Sequence, residues 1–110
     1  MTDVLCDYCG REWSLEQPFI EGHQGSCICG RCLTIAYREI MLHRDHSITT
    51  GYKCRMCLEG DDDRAAQDRA NEPGWQSPVE TDAHLCRRCI KLASGALHKD
   101  KDYDWRKPED

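Results

Sequence analysis

Eight of the nine cysteines in this chain form four Cys-x-x-Cys pairs: Cys6 and Cys9, Cys29 and Cys32, Cys54 and Cys57, and Cys86 and Cys89. Two residues between thiolates let both sulfurs face one ion from a tight turn, and two such pairs complete a closed tetrahedral shell. A single pair is also a redox motif, whereas four pairs at intervals of 19, 21 and 28 residues point to structural metal. The eight cysteines are therefore the expected ligands of two Zn2+ ions. A shell of four thiolates keeps no position open for water, so this zinc is expected to be structural. Ser14, Ser26, Ser47 and Ser94 lie in no recognisable nucleophile–base setting. No enzymatic activity is expected.

Other chemistries compete for the same residues. Disulfides would leave one thiol over, because nine is odd, and regular two-residue spacing suits metal better than scattered bridges. Iron in an all-thiolate site is chemically admissible, but only Cys9-Gly10 and Cys29-Gly30 show a glycine after the cysteine. Thiol redox chemistry would couple oxidation to metal loss. Cys27 is left over and reads as a buried small residue, with exchange for Cys29 as its alternative role. His23 and His84 lie near their second Cys pairs, where a full thiolate shell leaves them no vacancy. His43 and His46 read as a solvated helix end. Asp61-Asp62-Asp63 lacks an ordered ligand ring and reads as solvated.

The elements that must position these cysteines are small. The chain has 110 residues, is 39% hydrophobic and 32% charged, and contains one phenylalanine. Such a composition supplies too little core for two units of about 50 residues without a staple. Zinc supplies it, because roughly 10–16 kcal/mol of binding free energy per structural site becomes folding free energy. The apo chain is thus expected to be largely unfolded. No apolar segment follows Met1-Thr2-Asp3-Val4, and none approaches membrane-span length. A cytoplasmic, reduced setting without membrane contact is the expectation.

The cysteines sit in a diverged tandem repeat. Ile28-Cys29-Gly30-Arg31-Cys32-Leu33 compares with Leu85-Cys86-Arg87-Arg88-Cys89-Ile90, and alanine follows at Ala36 and Ala93. Leu33, Ala36, Tyr37, Ile40 and Met41 recur at helical spacing, as do Ile90, Ala93 and Leu97. Ile35 and Leu42 add a second apolar stripe to the first helix, suited to packing against a partner finger or to closing over its own. Gly95 weakens the second helix. Basic residues close both helices, His43 with Arg44 and His98 with Lys99, where they complement the negative dipole end. Each half reads as a knuckle, short strands and a second Cys pair at a helix N-terminus, a treble-clef-like order in a small metal-stabilised α+β protein. Gly10 suits a knuckle that needs positive φ. The second half has Leu58-Glu59-Gly60 instead, so a looser or shifted knuckle is expected there. The finger boundaries fall at 1–49 and 50–110. The second finger carries an acidic insertion at 59–74, read as a short solvated helix or a disordered loop. Its charged tail, 99–110, carries Tyr103 and Trp105, which either dock or stand exposed.

Cys6-Asp7-Tyr8-Cys9-Gly10-Arg11, Phe19-Ile20-Glu21-Gly22 and Ile28-Cys29-Gly30-Arg31-Cys32 with the helix through Ile40 together resemble the N-terminal zinc-binding domain of the ClpX unfoldase. The resemblance covers roughly residues 4–44; the second half matches only in its Cys pairs and helix. It implies a four-cysteine treble clef that dimerises and recruits substrates and adaptor proteins. No Gly-x-x-x-x-Gly-Lys-Ser/Thr occurs, so the motor and its ATPase activity do not carry over. The tandem arrangement implies an intramolecular pseudo-dimer, with a homodimer as the alternative. The expected function is a non-enzymatic protein-interaction module, an adaptor or substrate-recruiting factor, with Trp13, Phe19, Ile20 and Trp75 as candidate anchors. The alternatives are a cross-braced RING-like module and nucleic-acid binding through Arg87, Arg88 and Lys91. Net charge opposes the latter. Each zinc with four thiolates carries −2, so two sites take the chain from −5 to about −9.

Overall fold

A computed structural model describes residues 5–12, 18–22, 26–43, 47–100 and 102–109. Each half begins with a cysteine knuckle and continues into a hairpin and a helix. In the first half, β1 (Phe19–Glu21) pairs antiparallel with β2 (Cys27–Cys29), and α1 (Gly30–Tyr37) follows at once. A π-helical turn, Arg38–Leu42, extends α1 and is closed by the His43 N–H on the Arg38 carbonyl at 2.9 Å. In the second half, α2 (Asp61–Ala66) precedes β4 (Gly74–Gln76), β5 (His84–Leu85) and α3 (Arg87–Lys99). β3 (Ser47–Ile48) pairs with β4, giving the sheet order β3-β4-β5. The finger boundary expected after residue 49 therefore lies directly behind a strand that pairs into the second half.

The two halves share a set of equivalent backbone bonds. Cys6 N–H donates to Arg11 O and Cys54 N–H to Glu59 O, both at 2.9 Å. Asp7 N–H reaches Cys27 O at 2.9 Å, and Arg55 N–H reaches His84 O at 2.8 Å. Ile20 opposes Ile28 in one hairpin, and Trp75 opposes Leu85 in the other. By these equivalences the structural counterpart of Tyr8 is Met56 and that of Trp75 is Ile20. Trp13 lies outside the described residues.

The looser second knuckle expected from the missing glycine is also corrected. Leu58 adopts φ +65° where Gly10 has φ +77°. Leu58 N–H closes on Cys54 O at 2.9 Å, as Gly10 N–H closes on Cys6 O at 2.8 Å. A leucine tolerates the left-handed region at roughly 1–2 kcal/mol, and the surrounding bonds fix the turn regardless of that cost.

One core serves both halves. Ile28, Leu33, Ala36 and Ile40 join Trp75, Leu85, Ile90 and Leu97 in a single buried cluster, and α1 packs directly on α3. Apolar residues at helical spacing explain this, since each short helix offers one buried stripe too small to stand alone. The second stripe does not do this work: Ile35 is 40% exposed. Trp75, expected as a surface anchor, has no exposed surface. Its ring lies 5.6 Å from Tyr8, and its Nε1–H donates to Glu39 Oε2 at 3.1 Å. Phe19 and Ile20 are half-buried against the same cluster.

The acidic insertion is ordered around one cation. Arg64 is 1% exposed and lies 3.7 Å from the Tyr52 ring centroid. Its guanidinium donates to Tyr52 O at 2.9 Å, Glu59 O at 3.0 Å and Asp61 Oδ1 at 2.5 Å. Asp61, Asp62 and Asp63 are exposed as expected, and two of them also serve the backbone: Asp63 Oδ2 accepts from Gly60 N–H at 2.9 Å and Asp61 Oδ2 from Gly51 N–H at 2.7 Å. Among the described residues, no helix is long and apolar enough to cross a membrane.

Candidate metal centres

The fold brings Cys6, Cys9, Cys29 and Cys32 into one group and Cys54, Cys57, Cys86 and Cys89 into another, with all sulfurs of a group within 4.8 Å of one another. The grouping is sequential, first pair with second and third with fourth, and not cross-braced. Each group is assembled the same way. The first pair comes from the knuckle. The second comes from the start of a helix, where Cys29 and Cys86 are the N-caps of α1 and α3.

The spacing of the sulfurs suits a tetrahedral ion. Sγ atoms stand 3.8 Å apart for Cys6 and Cys32, and 3.7 Å apart for Cys9 and Cys29. In the second group the separations are 3.7 Å for Cys54 and Cys89 and 3.7 Å for Cys57 and Cys86. Metal–sulfur bonds of about 2.3 Å give a tetrahedron whose edge is about 3.8 Å. A disulfide needs about 2.05 Å. Backbone donors converge on one sulfur in each group. Cys29 N–H points to Cys6 Sγ at 3.3 Å and Cys86 N–H to Cys54 Sγ at 3.3 Å, while Tyr8 N–H adds a third such contact at 3.4 Å. Such donors, with the helix N-termini, favour anionic sulfur.

The electrostatics make the same demand. Hydrogen bonds from Cys32, then from Cys6, hold the Cys29 thiol down at about 3, and sharing with Cys29 drives Cys32 far upward. Cys54 likewise holds Cys57 down at about 7, while Cys54, Cys57 and Cys86 together push Cys89 up. In the first group Cys29 ionises readily and Cys32 resists; in the second Cys54, Cys57 and Cys86 are held down while Cys89 resists. A cation within the group is what lets all four become thiolates together. The donor set therefore fits a divalent ion held by Cys6, Cys9, Cys29 and Cys32, and a second held by Cys54, Cys57, Cys86 and Cys89.

Residues flagged near the cysteines fall outside the groups. Cys27 is buried on β2 and belongs to neither; burial, then the Glu21 and Asp7 carboxylates, push its thiol up. His84 stacks near Tyr52, with ring centroids 5.4 Å apart, and His43 is an exposed helix end. His23, His46, Ser14 and Arg44 lie outside the described residues. Arg88 sits 3.6 Å from Glu59, which also binds Arg69 at 2.6 Å. The proposed nucleic-acid helix is thus partly engaged by an acid.

Equivalent residues of the two halves meet in a set of reciprocal contacts. Arg55 and Asp7 hold equivalent positions in the two halves and face each other at 3.8 Å. Ser77 Oγ donates to Tyr8 O. At the equivalent place Gly22 packs on Met56, where a side-chain carbon would come within 2.6 Å of the Met56 carbonyl oxygen. Two grooves follow from these contacts, each between the knuckle and helix of one half and the hairpin of the other. The first, of about 300 Å³, has Cys9, Arg31 and Ile35 on one wall and Trp75, Ser77 and Val79 on the other. The second, of about 250 Å³, sets Cys57, Arg88 and Leu92 against Ile20 and Gly22. Ile35, Val79 at 63% and Leu92 at 62% exposure are three of the four exposed large hydrophobic residues described. Sequence reasoning missed Val79 and Leu92 because their walls come from different halves.

No protein-family model matches the chain, and no curated protein or solved structure is significantly similar to it.

Proposed function

We propose that this chain is a non-enzymatic module in which two Zn2+ ions staple a covalent pair of treble-clef fingers, and that it binds protein segments. The observation that carries the reading is the pair of pseudo-equivalent grooves. Each combines an exposed branched side chain, Ile35 or Leu92, with an arginine, Arg31 or Arg88. In the first groove, apolar surface left open beside Arg11 and Arg31 fits an extended peptide with branched apolar residues and a neighbouring carboxylate; in the second, Arg88 is shared with Glu59. The knuckle, hairpin and helix order supports the treble-clef reading, and the four-thiolate donor sets support zinc. The likeness to the ClpX zinc-binding domain adds the role of an adaptor or substrate-recruiting factor, with the second half replacing the partner subunit. The fingers are assigned to 1–49 and 50–110, with β3 contributed across that boundary.

The test is selection of displayed peptides on the zinc-loaded chain. Enriched peptides should carry branched apolar and acidic residues. They should bind the Ile35→Asp, Leu92→Asp variant at least tenfold more weakly, with two zinc equivalents retained by native mass spectrometry. Absence of enrichment, together with a low-salt gel shift on nucleic acid, would move the assignment to nucleic-acid binding.

A further inference from the structure

The tail after α3 leaves the second half and docks on the first. Residues 102–109 form no helix or strand. They are held by Lys107 N–H on His98 Nδ1 at 3.1 Å, which ties them back to α3, and by Trp105. The indole Nε1–H of Trp105 is shared between Gly30 O at 3.1 Å and Thr34 Oγ1 at 3.0 Å. The hydroxyl of Thr34 is oriented by its own bond to Gly30 O at 2.9 Å. Pro18 walls the cleft, and its carbonyl accepts Gly30 N–H at 2.9 Å. A side-chain carbon at position 30 would come within 2.9 Å of Pro18 and 3.2 Å of the indole. A side chain at this position would force Pro18 or the ring to shift.

The other half shows that these features are specific. Pro73 stands where Pro18 does, but Arg87 replaces Gly30 and Lys91 replaces Thr34. Arg87 carries a long side chain where Gly30 has none, and a lysine ammonium has no acceptor for an N–H. Gly30 and Thr34, two of the positions at which the paired helix starts differ, both face the indole. A half-buried indole is best held by an acceptor for its N–H, and this cleft supplies two that phenylalanine cannot use.

We propose that the Pro18–Gly30–Thr34 cleft is a recognition site for a tryptophan borne on an extended segment, and that residues 102–109 are its resident, displaceable latch. In cis the latch benefits from an effective concentration on the order of millimolar. A tryptophan-bearing segment of a partner gains entry only when the latch opens. This site is separate from the two grooves and stands or falls without them.

The experiment uses the full zinc-loaded chain carrying Trp105→Ala and a synthetic peptide of residues 102–109, followed by amide NMR. The peptide should shift the Gly30 and Thr34 amides saturably in the variant and bind the unmodified chain at least tenfold more weakly. A peptide with phenylalanine in place of tryptophan should bind at least tenfold more weakly to the variant. No shift at Gly30 and Thr34 up to millimolar peptide, equal binding to both chains, or equal binding of the phenylalanine peptide would each overturn the proposal. Should the variant fail to fold, hydrogen exchange of the Trp105 indole N–H in the unmodified chain decides. Exchange at least tenfold faster than that of the Ile90 amide marks a latch that opens locally; exchange at the rate of the core marks a fixed element and refutes it.

Discussion

The N–H that follows each first cysteine pair must turn back onto the carbonyl of the pair's first cysteine, and this requires positive φ at residues 10 and 58. Gly10 meets the requirement without strain, and a side-chain carbon there would touch nothing within 4 Å. Gly10→Ala therefore isolates backbone strain from packing. It should lower the stability of the metal-loaded protein by roughly 1–2 kcal/mol in denaturant unfolding, and an unchanged midpoint would contradict the knuckle geometry. At this scale much of the chain was legible beforehand. The Cys-x-x-Cys spacing is a local constraint, so all eight grouped cysteines could be read directly, as could the glycine of the first knuckle. Leu58 was not, because a leucine at positive φ is imposed by its surroundings. Arg64 was hidden for the same reason: its partners Tyr52 and Glu59 are brought to it by the fold, and charge composition alone suggests a solvated stretch.

Among the elements, α1 and α3 were visible from the periodicity of Leu33, Ala36 and Ile40 and of Ile90, Ala93 and Leu97. Their faces were harder to assign. Periodicity shows that Ile35 lies off the main stripe but not whether another element covers it, and it stays exposed beside the first groove. The tail illustrates the same limit, since a polar segment with two aromatics gives no sign of its receptor until Gly30 and Pro18 are seen together. α3 also contains a correctable weakness. Gly95 sits within the helix, and a side-chain carbon there would meet nothing within 4 Å. Gly95→Ala should stabilise the protein by up to about 1 kcal/mol, a shift of a few degrees in Tm. Calorimetry showing a lower Tm would mean that α3 needs the glycine for a reason beyond helix propensity.

For the whole molecule, the decisive feature is that two metal groups support one core. Separate fingers would lose their metals and unfold one after the other. Here Trp75 of the second half covers Tyr8 of the first, so neither can unfold without exposing the other. Chelator titration should remove both metals in one transition, coincident with loss of helical circular dichroism. Cys54→Ser should lower hydrogen-exchange protection at Ile28 and Leu33 as well as in the second half. Two resolved transitions would show the halves to be independent. The contact of Asp7 with Arg55 gives this union a direction. The two hold equivalent positions, and there a like-with-like assembly would set Asp7 against Asp7 or Arg55 against Arg55. The exposed pair contributes about 1 kcal/mol at most, yet it distinguishes sibling from self. Each half meets in the other a side chain of opposite charge, where a second copy of itself would present the same one.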